Sequence, residues 1–308
     1  MASLPRIDEA SVVHRPLITG GNPMLVLHTT ADIHAWRAER RAENRSVGFV
    51  PTMGYLHDGH MALVDRARTG NDAVLASIFV NPAQFAAHED LSAYPRDFVR
   101  DCSMLQDHGC DAVFAPSVET MYPSGFATSI HVDGVTTDFE GAVRPTHFDG
   151  VVLVVTRLLC LATPQRMYLG QKDLQQTAVL RRLVADLGMD TDVVIVPTVR
   201  DADGLAKSSR NVYLESTERQ QALVLSRSLR RVCTEVAGGT TSADALLVAA
   251  MSVMQEEPEV VPDYVAIVDA ESMRPIADVA GHPAAACIIA ARVGKTRLID
   301  NCMVHVSM

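Results

Sequence analysis

The chain has 308 residues and 48 % of them are hydrophobic, enough to bury the core of one large domain or two modest ones. Lys and Arg number 27 against 37 Asp and Glu, and with a net charge of -10 and no opposing basic patch the chain is not expected to bind nucleic acid. The six cysteines (Cys102, Cys110, Cys160, Cys233, Cys287, Cys302) lie far apart without a C-x-x-C pair, which argues against a zinc site or a small disulfide framework and for reduced thiols in the cytoplasm.

Residues 1–23 carry Arg6, Asp8, Glu9 and Arg15 and no apolar h-region, so an N-terminal extension is expected there rather than a signal peptide. Trp36 to Arg45, the most basic stretch, has glutamates interspersed and reads as a solvated helix face. Short β-rich runs follow at 47–50, 74–80, 111–114, 167–169 and 193–196. Between them, 60–68, 97–107, 151–161 and 174–187 carry apolar residues at helical spacing. This alternation predicts an α/β fold with a doubly wound parallel sheet over residues 24–198. The most apolar run, Val151 to Val155, is stopped by Arg157 and is too short to cross a bilayer, so no membrane partner is expected. After Pro197 two helices are predicted over 217–236 and 243–255, with Ser242 as N-cap of the second. Three short strands at 264–268, 285–291 and 296–299 complete a smaller α+β C-terminal domain, residues 199–308.

The densest motif is V-G-F-V-P-T-M-G-Y-L-H-D-G-H at 47–60, a strand that turns through glycine into a helix beginning near Gly59. Such a turn is expected to gather unpaired N–H groups at the positive end of a helix dipole, a setting for phosphate. His57 and His60, three apart, would both face it and donate to phosphate oxygens. H-x-G-H is the signature with which nucleotidylyltransferases and class I aminoacyl-tRNA synthetases grip ATP. A second segment, G-L-A-K-S-S-R-N at 204–211, offers Lys207, Ser208, Ser209 and Arg210 to the β- and γ-phosphates. Alone it would read as a polar loop capping a helix. In Y-L-G-Q-K-D-L-Q-Q, 168–176, Lys172 stands at another helix start and Asp173 could accept from a ribose hydroxyl. V-N-P-A-Q-F, 80–85, follows a strand, and the carboxyl ends of parallel strands are where ligands sit. Gln84 and Gln176, neutral two-way hydrogen bonders, suit a small hydroxy acid.

Taken together with E-G-A-V-R-P-T-H-F-D-G-V at 140–151 and G-K-T-R-L-I-D-N near the C-terminus, these ordered motifs resemble the pantothenate synthetase family over roughly residues 46–302. The resemblance implies a Rossmann-type domain of the H-x-G-H nucleotidylyltransferase kind, a C-terminal lid, a homodimer, and ATP with Mg²⁺. No protein side chain is assigned to the metal, which the ATP phosphates would carry. It further implies that Met53, Gly54, His57, Gly59 and His60 bind ATP, with His60 as proton donor. Gly170, Lys172, Asp173 and Val199 would line the nucleotide site, and Lys207 to Arg210 would close on the phosphates. Pro51, Thr52, Met53, Gln84 and Gln176 would hold pantoate and β-alanine. Adenylation would rest on His57, His60 and Lys172 around the α-phosphate, with no protein nucleophile.

The chain departs from the family pattern at Tyr55 (usually small), Gln171 (usually Glu) and Lys207 (usually apolar). On the residues alone, three alternatives remain: a paralogue with another acid or amine, a nucleotidylyltransferase whose adenylylated compound is the end product, and a silent nucleotide-binding protein.

Overall fold

The structure, a computed structural model, describes residues 24–86 and 91–305; the expected extension over 1–23 lies outside them. Six parallel strands, β1 (Leu25–Leu27), β2 (Val47–Thr52), β3 (Ala73–Ile78), β4 (Ala112–Phe114), β5 (Arg166–Gly170) and β6 (Asp192–Val196), form one sheet in the order β1-β4-β3-β2-β5-β6. The central strands V-G-F-V-P-T and A-V-L-A-S-I are buried almost throughout, because both faces of a parallel sheet are covered. Their side chains alternate between two cores. Phe49, Leu75 and Phe114 point to the layer built by α1 (Thr30–Ala42) and two later helices, whereas Val50, Val74 and Val113 point to α2 (Asp58–Gly70) and α3 (Phe98–Asp107). Two single-turn helices, α4 (Val118–Met121) and α5 (Glu140–Val143), precede α6 (His147–Ala162) and α7 (Leu174–Asp186), which complete the first layer.

From β2 the chain winds outward through β3 to β4, and from β5 it winds the other way to β6. The reversal opens a crevice between β2 and β5, the place where a doubly wound sheet receives ligands. Pairing of β2 with β5 stops at Phe49–Met167, although both strands continue. Odd-numbered residues of β2 face β5, since Gln165 donates to the Val47 carbonyl while Thr52 accepts from Phe79 on the other side. Pro51 is the next odd residue and has no N–H to extend the ladder, so the strands part at their carboxyl ends.

The C-terminal unit packs α8 (Ser216–Ala237) and α9 (Ala243–Met254) on an antiparallel sheet of β7 (Val260–Asp269), β8 (Ala285–Val293) and β9 (Thr296–Met303). Strand β8 is buried on both sides. Cys287, Ile289 and Ala291 face α8 and α9, while Ala286 and Ile288 face Leu174 and Ala178 of α7.

Four expectations are corrected. A sixth strand, β1, and helix α1 precede the first predicted strand. Rather than being only a solvated face, α1 buries Ile33 and Trp36 behind a Thr29–Asp32 capping box. Helix α2, by contrast, starts at Asp58 with His57 as its N-cap, in keeping with the expected start near Gly59. β7 is twice the expected length, with a register shift between Pro262 and Tyr264. Ser242 occupies the N-cap of α9 without capping through its hydroxyl; instead Ala243 N–H donates to the Ala277 carbonyl across an isolated bridge.

Candidate active site

The turn after β2 satisfies itself. Gly54 N–H donates to Thr52 Oγ1, and Tyr55 and Leu56 N–H donate to the two oxygens of Asp101 at 2.7 Å each. Asp101 is buried on α3, and burial pushes its carboxyl pKa up against the two hydrogen bonds. Gly54 (φ 85°) and Tyr55 (φ 51°) both take left-handed backbone there, and a Cβ on Gly54 would stand 3.0 Å from Asp101 Oδ2. The Tyr55 ring lies under the Arg100 guanidinium, 5.6 Å from its centroid.

His57 and His60 then cap α2 reciprocally. His57 Nδ1 accepts from Gly59 N–H at 3.1 Å, and His60 Nδ1 accepts from His57 N–H at 3.3 Å. The expected cradle of free amides is therefore absent at residues 54, 55, 56, 57 and 59. Because each Nδ1 is an acceptor, each ring carries its proton on Nε2, and that N–H is the donor left for a ligand. The rings stack 4.1 Å apart, and a Cβ on Gly59 would collide with His57 Cε1 at 2.8 Å, which is why glycine stands there. Burial, then the Lys172 charge, lowers the His57 pKa to about 4; burial, then His57 and Lys172, holds His60 well below 6.5. Both rings are neutral at pH 7.

A cavity of about 240 Å³ opens at the parting of β2 and β5. It is lined by Pro51, Thr52, Met53, His57, Gly59, His60, Gln84, Gly170, Lys172, Asp173, Gln176, Val199 and Lys207 to Arg210. Every residue expected at the site is there except Gly54, which lies beneath the turn against Asp101 and Ile78. The cavity lining also includes a set of apolar side chains, Phe79, Val151, Val154, Val155, Leu158 and Leu180, and three amide side chains, Asn81, Gln84 and Gln176. Gln84 is oriented by its neighbours: its Oε1 accepts from Asn81 Nδ2, its amide nitrogen contacts Met53 Sδ, and its carbonyl accepts from His147 Nδ1. A larger cleft of about 770 Å³ adjoins it, sharing Arg144, Lys172, Gln176 and Arg210 and bounded by β9.

Lys207 lines the cavity, but its ammonium is held by carboxylates, Asp58 at 2.5 Å and Asp201 at 2.8 Å. The segment carrying it is a tight hairpin in which Lys207 N–H donates to the Val199 carbonyl, and Ser208 then caps a 3-10 turn over Ser209–Tyr213. From the other side Asn301 of β9 donates to the carbonyls of both Gln171 and Lys172 at 2.9 Å, and Gln171 Nε2 donates back to Asn301 Oδ1. Asn81, Asp101 and Asn301 are contributions that motif reasoning did not single out. Only Asn81 and Asn301, inside the quoted V-N-P-A-Q-F and G-K-T-R-L-I-D-N runs, had a sequence signal. Among the described residues, no group of three or more His, Cys, Asp or Glu side chains is placed to hold a metal.

A parallel α/β sheet with a reversal crevice, whose first crevice strand runs into an H-x-G-H helix start, defines a nucleotide-binding protein of the H-x-G-H class. Comparison with known proteins refines this. The model of the pantoate-beta-alanine ligase family matches residues 25–303, and the chain belongs to that family. It is 48 % identical over 279 residues to the pantothenate synthetase of Roseiflexus castenholzii, covering 91 % of this chain and all of the relative. To that of Thermus thermophilus it is 53 % identical over 272 residues, 87 % of this chain and 97 % of the relative. A crystal structure of the Thermus thermophilus enzyme superposes with a TM-score of 0.86 at 50 % identity, covering 92 % of this chain and all of the other. A Francisella tularensis pantoate-beta-alanine ligase, complexed with beta-gamma ATP and beta-alanine, superposes at 0.75 and 32 % identity over 91 % of this chain and 97 % of its own.

Proposed function

We propose that this chain condenses pantoate with β-alanine at the expense of ATP, through a pantoyl-adenylate. The observation that carries the reading is that one cavity, at the parting of β2 and β5, is lined by neutral imidazole donors, Lys172, two glutamines and a set of apolar side chains. Pantoate has a carboxylate, two hydroxyls and a pair of methyl groups on one carbon. Gln84 and Gln176 match the hydroxyls, the apolar side chains match the methyls, and the carboxylate is left pointing toward the histidines.

The carboxylate attacks the α-phosphorus in line, pyrophosphate leaves, and the amine of β-alanine then displaces AMP from the mixed anhydride. Catalysis of the first step is alignment plus charge stabilisation. His57 and His60 supply Nε2–H donors to the α-phosphate as neutral rings, so the proton-donor role implied for His60 is read here as hydrogen-bond donation. Lys172 supplies the positive charge. Gly170, Asp173 and Val199 would border the nucleoside, and Ser208, Ser209 and Arg210 the outer phosphates, with Mg²⁺ arriving on ATP as part of the substrate. Residues 199–308 would act as the lid, enclosing an anhydride that water would otherwise hydrolyse. From the family resemblance we further propose a homodimer working in the cytoplasm. Separately, no helix among the described residues is long and apolar enough to cross a membrane.

The test is exchange of labelled pyrophosphate into ATP. Pantoate alone should support exchange, and AMP should accumulate only when β-alanine is added. Exchange that strictly required β-alanine would remove the free-standing adenylate.

A further inference from the structure

The exposed Cys233 on α8 and the half-buried Cys302 on β9 place their sulfurs 3.4 Å apart. No motif of the ligase reaction includes either residue. We propose that Cys233 and Cys302 are a reversible redox modification site, oxidised to an intramolecular disulfide by a peroxide and coupled through β9 to the nucleotide loop.

Accessibility sorts the six thiols. Cys102, Cys110 and Cys287 are buried, and burial pushes Cys110 and Cys287 up to about 12 and Cys102 to about 11, so they stay protonated and shielded. Cys160 is exposed on α6 and serves as the internal comparison. Cys233 is exposed and its thiolate is favoured, its pKa drawn down to about 7 by the side-chain contact with Cys302 and by the Arg200 guanidinium. Cys302 is shifted the other way by the same contact and by burial, so it waits as the protonated partner. An accessible attacking thiolate beside a shielded resolving thiol is the arrangement of a redox-sensing pair.

The step balances with hydrogen peroxide. Cys233 thiolate attacks one peroxide oxygen, the O–O bond breaks, hydroxide leaves, and a sulfenic acid remains. Cys302 sulfur then attacks Cys233 sulfur, the S–O bond breaks, and the departing hydroxide takes the Cys302 proton as water. Two thiols lose two electrons in all, and one peroxide becomes two waters. A dithiol reverses the step by exchange.

Coupling to the active site follows from sequence position. Cys302 is the neighbour of Asn301, which holds the Gln171 and Lys172 carbonyls, and Asp300 before it holds Arg200 at 2.6 and 2.9 Å. Closing the sulfurs to a bond of about 2.05 Å draws β9 toward α8 and away from the loop that carries Lys172. This part rests on the ATP reading of the cavity; the modification itself does not.

The experiment oxidises the full chain with dilute hydrogen peroxide, blocks remaining thiols, and maps peptides by mass without reduction. The expected result is a Cys233–Cys302 cross-linked peptide, removed by dithiothreitol, absent in Cys233→Ser and present in Cys160→Ser. Oxidation should raise the KM for ATP several-fold in the parent and leave Cys233→Ser unchanged. If Cys302 remains open to alkylation while Cys233 or Cys160 carries the oxidation, the site is refuted. A cross-link without a change in ATP KM overturns the coupling. Because the cross-link is read by mass, failure of the ligase reading would show separately, as missing pyrophosphate exchange.

Discussion

Each histidine of the H-x-G-H turn uses its Nδ1 lone pair on a backbone amide, so one pair of side chains both starts α2 and presents donors to the cavity. The two roles separate in His60→Asn, where an amide oxygen can take the place of Nδ1 but nothing replaces Nε2–H. We expect single-turnover adenylation to fall about 10²–10³-fold, the usual cost of a donor aimed at developing charge, with thermal stability nearly unchanged. An unchanged rate would remove His60 from the site. The depressed pKa of His57 carries a stability consequence whose sign is fixed. Its folded value, about 4, lies below the unfolded 6.5, so the unfolded chain binds the proton first as pH falls. Its contribution is whole above pH 6.5 and is lost progressively toward pH 4, on the order of 3 kcal/mol in total. Urea unfolding at pH 7 and pH 5 should therefore show a smaller loss for His57→Gln than for the parent, and parallel losses would contradict the assignment.

The hairpin that carries Lys207 meets the start of α2 through one ammonium shared between Asp58 and Asp201, with Arg219 also on Asp201. Lys207→Met, which puts an apolar residue at this position, leaves Asp58 uncompensated beside the proposed phosphate site. ATP affinity should weaken several-fold at low salt and less at high salt, since a partly exposed charge effect is screened over about 8 Å at physiological ionic strength. AMP binding should be spared. Asp58→Asn in the same chain should restore ATP binding if the lysine acts by neutralising Asp58; no restoration would mean it meets the phosphates directly. At this scale, legibility in the sequence followed the kind of interaction. Helices α2, α3, α6 and α7 announced themselves by apolar spacing, because burial of one face forms them. Strand β1 is three residues long and α1 has few apolar positions, so their signal was a Thr29-x-x-Asp32 cap, not a period. The motif residues converged on one cavity, yet what their side chains hold was not readable: free amides were expected in the turn, and Asp101, 46 residues from Tyr55 in sequence, takes two of them.

Across the whole molecule, the C-terminal unit is fastened to the α/β unit by Arg297 of β9, which meets Glu140 at 2.6 and 2.8 Å and Asp263 at 2.6 Å, with Tyr264 donating to the same Glu140. Burial raises the Glu140 pKa, but Arg297, Tyr264 and Arg144 together outweigh it and the net shift is downward. Arg297→Met leaves that carboxylate buried without its cation. Unfolding free energy should drop by about 3–5 kcal/mol, the usual effect of removing one partner of a buried pair, and a loss below ~1 kcal/mol in denaturant titration would relegate the pair to the surface class. Motifs near residues 57, 84, 172 and 208 meet at one point although they are far apart in the chain, and β9 closes the set from the last residues described. This order has a consequence during synthesis. On the ribosome the α/β unit, with its histidine-capped helix, is complete at Val196, but Asn301 follows only after roughly a hundred further residues, on the order of ten seconds at the usual elongation rate. Until then the Gln171 and Lys172 carbonyls lack their clasp, so on the proposed reading the nascent chain would carry an open half-site unable to shelter an adenylate.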